Sequence, residues 1–276
     1  MIIKFIKFIL SIVSKKEQSH QVEGDASDTD QSEFENEIDG DYIDPSDPFE
    51  QNKIQEDMKD SIHYSNIMVH IDNGHASSTP GKRSPYSANK VPPELDFYEY
   101  KFNREIASIL KSKLENNGFA VDMVCPEVNE DVKLTVRANR ANEKMRQNYS
   151  MKHLFVSIHS NACGNGKEWN SARGWSAWTT KGQNNSDKFA ECLYTAAEEI
   201  LPKYGMTIRK DTTDGDRDYE ENFTVIYCAN MPAVLTENLF FTNIKDTEFL
   251  ISETGKEAIA ELHLQGIIKY ADKYLN

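Results

Sequence analysis

From about Asn66 onwards, short strand-like apolar runs alternate with longer segments whose apolar residues recur at helical spacing. Strands are predicted over 66–72, 119–124, 153–159, 173–179 and 233–237. Helices are predicted over 97–116, 132–149, 185–201 and 255–274. Strands that alternate with helices form a mainly parallel sheet with both faces covered. We therefore expect an α/β fold with a mainly parallel central sheet and helices on both faces.

The net charge of -14 is concentrated ahead of this region. Residues 21–60 carry 15 Asp or Glu against two Lys, whereas residues 1–20 carry a net +3, which leaves -4 for residues 61–276. No basic patch is present, so we expect no nucleic-acid partner. Residues 17–60 also have almost no apolar periodicity, and we expect them to form an acidic disordered tether ahead of a folded domain over 61–276.

Residues 1–16 are apolar but too short to span a bilayer as a helix. Lys4, Lys7, Ser11 and Ser14 recur at helical spacing and share one face, as in a helix that lies in a membrane interface. A secretory signal is the alternative, although the segment lacks the small-residue cleavage site of such signals. We expect a targeting or membrane-associating segment, either cleaved or retained.

The four cysteines are widely spaced and include no Cys-x-x-Cys pair, so a thiolate metal site is not expected. An even number permits two disulfides, but a chain of 276 residues can build a core without them. We expect free, mostly buried thiols. The residues concerned are Cys125, Cys163, Cys192 and Cys228.

Ionisable side chains stand where predicted strands end. His75 follows the first apolar run, His159 ends the run from Leu154, and Glu237 ends the run from Ala233. The carboxyl ends of parallel strands share one edge of a sheet, where ligands bind. Two imidazoles and one carboxylate are the ligands of a catalytic zinc with an open fourth position, and a spare carboxylate can serve as base. The pattern predicts a zinc hydrolase.

Glu99 is the candidate third ligand. It lies three residues before Phe102 and seven before Ile106, so it continues the buried stripe of its predicted helix. A carboxylate that faces a core is costly unless a cation or several donors meet it. The alternative is an acid in the first helical turn, which the helix dipole favours. Glu94 and Asp96 are the nearest substitutes. The other histidines are assigned no functional role: His20, His63, His70, His153 and His263.

Five blocks of the sequence, in order, carry a resemblance to one family. They are Ile71-Asp72-Asn73-Gly74-His75; Glu99 with residues 103–110; Leu134-Thr135-Val136-Arg137 with residues 141–143; residues 155–162, which contain Ser157-Ile158-His159-Ser160-Asn161; and residues 232–240 with Asn243. They are similar to the Asp-Pro-Gly-His opening, the Glu-containing first helix, the Leu-x-x-Arg-x-x-x-Ala-Asn stretch, the Ser-Ile-His-x-Asn signature and the Pro-x-x-Leu-x-Glu-x-Gly-Phe element of the zinc-dependent N-acetylmuramoyl-L-alanine amidases.

The resemblance implies a single α/β domain with a twisted central sheet. His75, Glu99 and His159 match the ligands of one Zn²⁺, and Glu237 matches the catalytic glutamate. The implied reaction cleaves the amide between N-acetylmuramic acid and the L-alanine of the peptidoglycan stem peptide. Such a hydrolase acts at the cell envelope, outside the cytoplasm or in the periplasm, or is a phage lysin. Leu239 stands where the family has glycine, which predicts a less open backbone near the base.

Weaker candidates complete the site. Asn161 could orient His159 or bind substrate. Arg209, Lys210 and Arg217 could meet carboxylates of the stem peptide, although a solvated charged loop is the alternative. Loops 79–97, 161–172 and 203–222 are expected to form the walls of the cleft. The competing functions are a zinc peptidase that cuts within the stem peptide and a wall-binding module without catalysis.

Overall fold

Residues 63–85 and 95–276 are described in this computed structural model, and they build a six-stranded sheet. The strands are β1 (Ile67–Asn73), β2 (Ala120–Met123), β3 (Lys152–Asn161), β4 (Ser176–Thr179), β5 (Tyr219–Glu220) and β6 (Ala233–Phe240). Their spatial order is β2-β1-β3-β6-β4-β5, and β4 and β5 run opposite to the other four. The mainly parallel sheet is confirmed. The expectations for residues 1–16 and 17–60 lie outside the described residues.

Helices cover the sheet. They are α1 (Glu99–Asn116), α2 (Leu134–Gln147), α3 (Asn185–Ile200), α4 (Thr224–Tyr227), α5 (Ile244–Ile251) and α6 (Glu253–Tyr274). The four long helices are those predicted from the sequence. The short elements α4, α5 and β5 were not predicted, because segments of two to eight residues show too little periodicity to be recognised.

Side chains of β3 alternate between two apolar cores, as the period of a strand requires. Leu154, Val156 and Ile158 pack in the larger core, which also holds buried residues of α1, α3 and α6. Phe155 points the other way, into a smaller core that contains residues of α2 and α4. Both faces of the sheet are therefore covered by helices, as expected.

Two histidines without an expected catalytic role lie inside the sheet. His70 Nδ1 is 2.8 Å from Asp122 Oδ2, and His70 Nε2 is 3.0 Å from His153 Nδ1. His153 Nε2 is 3.0 Å from the carbonyl oxygen of Asn148. These contacts link the neighbouring strands β2, β1 and β3. His70 and His153 therefore have a structural role in the sheet.

The described cysteines are all free thiols, with Cys125 and Cys192 buried and Cys163 and Cys228 partly exposed.

Among the helices of residues 63–85 and 95–276, none is long and apolar enough to cross a membrane.

Candidate active site

Three side chains from distant parts of the chain converge beside the sheet. His75 follows β1, Glu99 is the first residue of α1, and His159 lies in β3. Each offers one ligand atom, and these atoms all lie within 4.8 Å of one another. Glu99 Oε1 is 3.5 Å from His75 Nε2 and 3.1 Å from His159 Nδ1. The two imidazole rings meet edge to face, with centroids 4.9 Å apart. The convergence expected at this sheet edge is present.

The backbone before His75 is shaped by contact with His159. A Cβ built on Gly74 would lie 2.0–2.6 Å from three atoms of the His159 ring, so no side chain fits there. His75 itself has a φ of 64°, a left-handed conformation that is costly for a residue with a side chain. Helix α1 holds this backbone, because Asn103 Nδ2 donates to the Gly74 carbonyl and Arg104 Nη1 donates to the His75 carbonyl.

Glu99 is 1% exposed, which settles the orientation that its sequence position left open. Glu99 is the first residue of α1, where the helix dipole favours an acid, and its side chain also faces both imidazoles. The two interpretations of its position in the sequence are therefore both correct. Its Oε1 accepts a hydrogen bond from the backbone N–H of Ser160 at 3.1 Å. Its Oε2 is buried and accepts no hydrogen bond from any described residue, although Lys82 Nζ lies 3.9 Å away. The substitute Asp96 is exposed and pairs with Arg83.

Glu237 stands beside His159 in the sheet, because the two residues pair in the register of β3 and β6. Both lie within their strands, and the expectation that they end the strands was wrong, since pairing continues to Asn161 and Phe240. The Glu237 side chain is partly exposed, but its Oε2 is buried and accepts no hydrogen bond within the described part of the chain. A basic oxygen without a donor is available to accept a proton.

A β-bulge follows Glu237. The register shifts between His159 and Asn161, and Leu239 in the shifted segment has a φ of 64°. Leu239 therefore keeps a left-handed conformation that glycine adopts without strain, at a cost of about 1–2 kcal/mol. Its side chain is fully buried in the larger core, which offsets that strain.

Asn238, which the sequence did not single out, fixes the bulge to β3. Its Nδ2 donates to the His159 carbonyl at 2.9 Å, and its Oδ1 accepts from Trp175 Nε1 at 2.9 Å. Asn161, the expected orienting residue, instead accepts from the backbone N–H of Ala162 at 2.8 Å. The only sequence signal for Asn238 was its place directly after Glu237.

The pKa values of the four residues of the site shift in different directions. Burial lowers the pKa of His75 to about 4, so its imidazole is neutral at neutral pH, the form that binds metals. Burial alone would raise the pKa of Glu99, but the hydrogen bond with His159 and the nearby positive groups lower it. For His159 burial would lower the pKa, but the hydrogen bond with Glu99 and the charges of Glu99 and Glu237 raise it. Burial raises the pKa of Glu237 to about 7.

A buried ion pair supports the sheet next to the site. Asp72, at the end of β1, is fully buried and lies 3.3 Å from Arg137 Nη1 of α2. Its second oxygen accepts from Ser157 Oγ at 2.7 Å. Arg137 also donates to the Val132 carbonyl at 2.8 Å and to Asp131 at 2.7 Å. This network joins β1 and β3 immediately before His75 and His159.

The basic residues of the loop after α3 differ in their partners. The Arg209 guanidinium lies 5.3 Å from the Phe240 ring centroid, three residues past Glu237, and the residue is exposed. Arg217 instead binds Glu191 and Glu198, and Lys210 also binds Glu198. Of these three basic side chains, Arg209 is therefore the one that has no carboxylate partner in the described part of the chain.

The donor set of the cluster fits a metal ion. Two imidazoles and a carboxylate are good ligands for a transition metal, and His75 is neutral. An unpaired buried carboxylate oxygen is costly, and a cation bound by Glu99 would remove that cost.

Comparisons with known proteins agree with this geometry. A family model described as N-acetylmuramoyl-L-alanine amidase matches residues 69–269. The endolysin of Bacillus phage SPP1 is 32% identical over 202 residues, which cover 72% of this chain and 64% of the endolysin. The N-acetylmuramoyl-L-alanine amidase CwlM of Bacillus licheniformis is 30% identical over 205 residues, which cover 74% of this chain and 68% of CwlM. The chain thus spans about two thirds of the length of these two relatives.

The fold is also found among solved structures. The crystal structure of the N-acetylmuramoyl-L-alanine amidase from Clostridium difficile 630 is 27% identical, with a TM-score of 0.58. The match covers 76% of this chain and 99% of that protein's chain. The sheet and helices described above are therefore those of an amidase domain.

Proposed function

The chain belongs to the N-acetylmuramoyl-L-alanine amidase family, and on that premise we propose that it hydrolyses the amide between N-acetylmuramic acid and the L-alanine of the peptidoglycan stem peptide. The observation that carries the proposal is the convergence of His75, Glu99 and His159 within 4.8 Å, with Glu237 beside His159 in the sheet. A binding module has no use for three metal-ligating side chains next to a carboxylate with a free basic oxygen.

We propose that His75, Glu99 and His159 hold one zinc ion. Three protein ligands drawn from histidine and glutamate are typical of catalytic zinc sites, which keep one coordination position open. When bound, zinc supplies a Lewis acid that acidifies water and polarises a carbonyl group. The chain's part is to hold the ligands in place, through Gly74 packed on the His159 ring and Asn238 bonded to the His159 carbonyl.

Glu237 is the proposed general base. Its carboxylate accepts a proton from the attacking water and then donates it to the amide nitrogen as the carbon–nitrogen bond breaks. The products are the lactyl carboxylate of muramic acid and a stem peptide with a free L-alanine amino group. Burial raises the pKa of Glu237 to about 7, and a cation held by the three neighbouring ligands would lower that pKa and so favour the base form at neutral pH.

Arg209 is the proposed contact for a carboxylate of the stem peptide. It is exposed and lies against Phe240, a residue of the same strand as Glu237, so its guanidinium is available to a ligand. Arg209→Ala should raise KM and change kcat little, because the contact acts on binding and not on the reacting atoms. Asn161 is proposed to shape the loop that follows β3, in line with its bond to Ala162.

We propose that the chain acts at the cell envelope, in wall turnover or as a phage lysin, since its substrate is peptidoglycan. Membrane-surface contact through residues 1–16 is a further proposal from sequence. Binding of the full chain and of a chain that begins near Ser61 to lipid vesicles would test it, and equal binding would contradict it.

The metal ligands can be tested one at a time. His75→Ala, Glu99→Ala and His159→Ala should each bind less than one equivalent of zinc and lose activity, because three ligands are the minimum for such a site. Asp96→Ala is the matched control for Glu99→Ala, since this exposed carboxylate lies three residues away and pairs with Arg83. Full zinc retention by Glu99→Ala would show that another carboxylate is the third ligand.

The base requires a different substitution. Glu237→Gln keeps the shape of the side chain but removes the basic carboxylate. Zinc content should stay near one equivalent, whereas turnover should fall by about 10²–10⁴-fold, as for a lost general base. Glu248→Gln, at an exposed position of α5, is the control and should remain active. An active Glu237→Gln enzyme would refute the assignment, and loss of zinc would make Glu237 a ligand.

A further inference from the structure

Three aspartates form a second cluster, away from the proposed zinc site. Asp187 lies in the first turn of α3, and Asp216 and Asp218 lie in the loop before β5. One carboxylate oxygen of each lies within 4.8 Å of those of the other two. Asp187 is 3% and Asp218 1% exposed, and Asp216 is partly exposed. Three carboxylates therefore lie close together and are largely shielded from solvent.

Hydrogen-bond donors reach only part of this cluster. Asp187 Oδ2 accepts from the backbone N–H of Asn184, but two oxygens of the loop aspartates receive no donor. Thr179 Oγ1 is 3.0 Å from Asp187 Oδ1 and 2.5 Å from Asp218 Oδ2, but its hydroxyl has one hydrogen to donate. Gln183 Nε2 donates to Asp216 Oδ2 at 2.7 Å. Asp216 Oδ1 and Asp218 Oδ1 are both buried and, apart from the contact between these two carboxyl groups, have no hydrogen-bond partner among the described residues. Two orphaned carboxylate oxygens in one cluster are costly unless a cation lies between them.

Nearby basic side chains are used elsewhere. Arg217, between the two loop aspartates, binds Glu191 and Glu198, and Lys210 also binds Glu198. Lys181, which follows Thr179 by two residues, pairs with Glu221. Within residues 63–85 and 95–276, no salt bridge joins Lys or Arg to Asp187, Asp216 or Asp218. The local charge of up to -3 is not balanced by the protein.

We propose that Asp187, Asp216 and Asp218 bind a calcium ion. Calcium takes six to eight oxygen ligands at about 2.3–2.6 Å in flexible geometry, which suits carboxylates from a loop and a helix. Magnesium demands a near-ideal octahedron, and zinc prefers nitrogen and sulfur donors. Burial and the charges of Asp216 and Asp187 raise the pKa of Asp218 to about 8, which shows how poorly the protein alone accommodates this charge.

The calcium ion would stabilise the edge of the sheet and take no part in the chemistry. Asp218 directly precedes β5, which pairs with Trp178 and Thr179 of β4. The opposite end of β4 lies beside the catalytic region, where Ser176 pairs with Glu237. A cation that joins the loop before β5 to the start of α3 would fix an edge strand of only two residues, which has few bonds of its own.

Thermal unfolding of the zinc-loaded full chain tests the proposal. Addition of calcium chloride to calcium-free protein should raise Tm, by about 5–10 °C once calcium reaches ~100 times its Kd. Asp216→Asn and Asp218→Asn should lose this shift, whereas Asp214→Asn should keep it, because Asp214 is an exposed aspartate of the same loop outside the cluster. Magnesium chloride should give a smaller shift than calcium chloride.

Terbium luminescence gives a second readout that needs no variant. Tb³⁺ occupies calcium sites, and nearby aromatic residues sensitise its emission; Trp178 and Tyr219 stack with centroids 4.7 Å apart next to Thr179 and Asp218. Emission that calcium displaces would support the site. A calcium-independent Tm without displaceable terbium emission would overturn the proposal in favour of a proton shared by Asp216 and Asp218. An equal calcium shift in Asp216→Asn would also overturn it.

Discussion

Gly74→Ala should disable the metal site without touching a ligand. The new Cβ would lie 2.0 Å from Cε1 and 2.2 Å from Nε2 of His159, whereas ordinary contacts begin near 3.4 Å. The imidazole must therefore move by about 1.4 Å. Zinc sites tolerate deviations of about 0.2 Å in ligand distance. A displacement of this size should weaken zinc binding by more than the ~10–100-fold typical of lost supporting contacts. Turnover should fall by about 10²-fold or more, the usual cost of a 1 Å misplacement.

Zinc affinity by competition with a chromogenic chelator, and turnover of soluble muropeptide, would measure both effects. Gly182→Ala is the control, because its Cβ meets nothing within 4 Å. Its φ of 87° costs about 1–2 kcal/mol of stability, but zinc affinity should stay at the parent value. A Gly74→Ala protein with the zinc affinity and turnover of the parent would show that the His159 ring does not need this close approach.

Three further predictions concern stability. Arg137→Met should lower the free energy of unfolding by about 3–5 kcal/mol, because it leaves Asp72 buried and unpaired; chemical denaturation would measure this, and recovery on adding Asp72→Asn would confirm the cause. In calcium-free buffer the pKa of Asp218 is raised from 3.8 to about 8, so its contribution to stability is present below pH 3.8 and lost as the pH rises through 8; Asp218→Asn should flatten this dependence, and an unchanged profile would contradict it. A chain that begins near Ser61 should fold and hydrolyse soluble muropeptide at close to the full-length rate; failure to fold would show that residues 1–60 pack on the domain.

Strand and helix patterns sufficed to predict the parallel sheet and the meeting of His75 with His159, although β3 continues past His159 to Asn161. Both patterns are local in the sequence, and the parallel arrangement of the strands brings their carboxyl-terminal parts to one edge of the sheet. The side chain of Glu99 was harder to orient, because a helix N-terminus and a buried stripe predict the same residue type there. Its 1% exposure depends on how α1 packs, which only the assembled fold specifies.

Other features depend on contacts between distant parts of the chain. Asn238 matters through bonds to His159 and Trp175, which are 79 and 63 residues away. The aspartate cluster joins Asp187 to a loop about 30 residues further on, with no spacing pattern between them. The effect of Leu239 was expected to be a less open backbone, yet burial lets leucine hold the conformation that favours glycine.

Product analysis tests the proposed reaction most directly. The zinc-loaded full chain would be incubated with a soluble muropeptide and the products identified by mass spectrometry. The proposed amidase releases an intact stem peptide that begins with a free L-alanine amine, together with the saccharide that carries the lactyl carboxylate. A stem peptide cut internally, with L-alanine still joined to muramic acid, would identify a peptidase and contradict the proposed function, and so would an unchanged substrate.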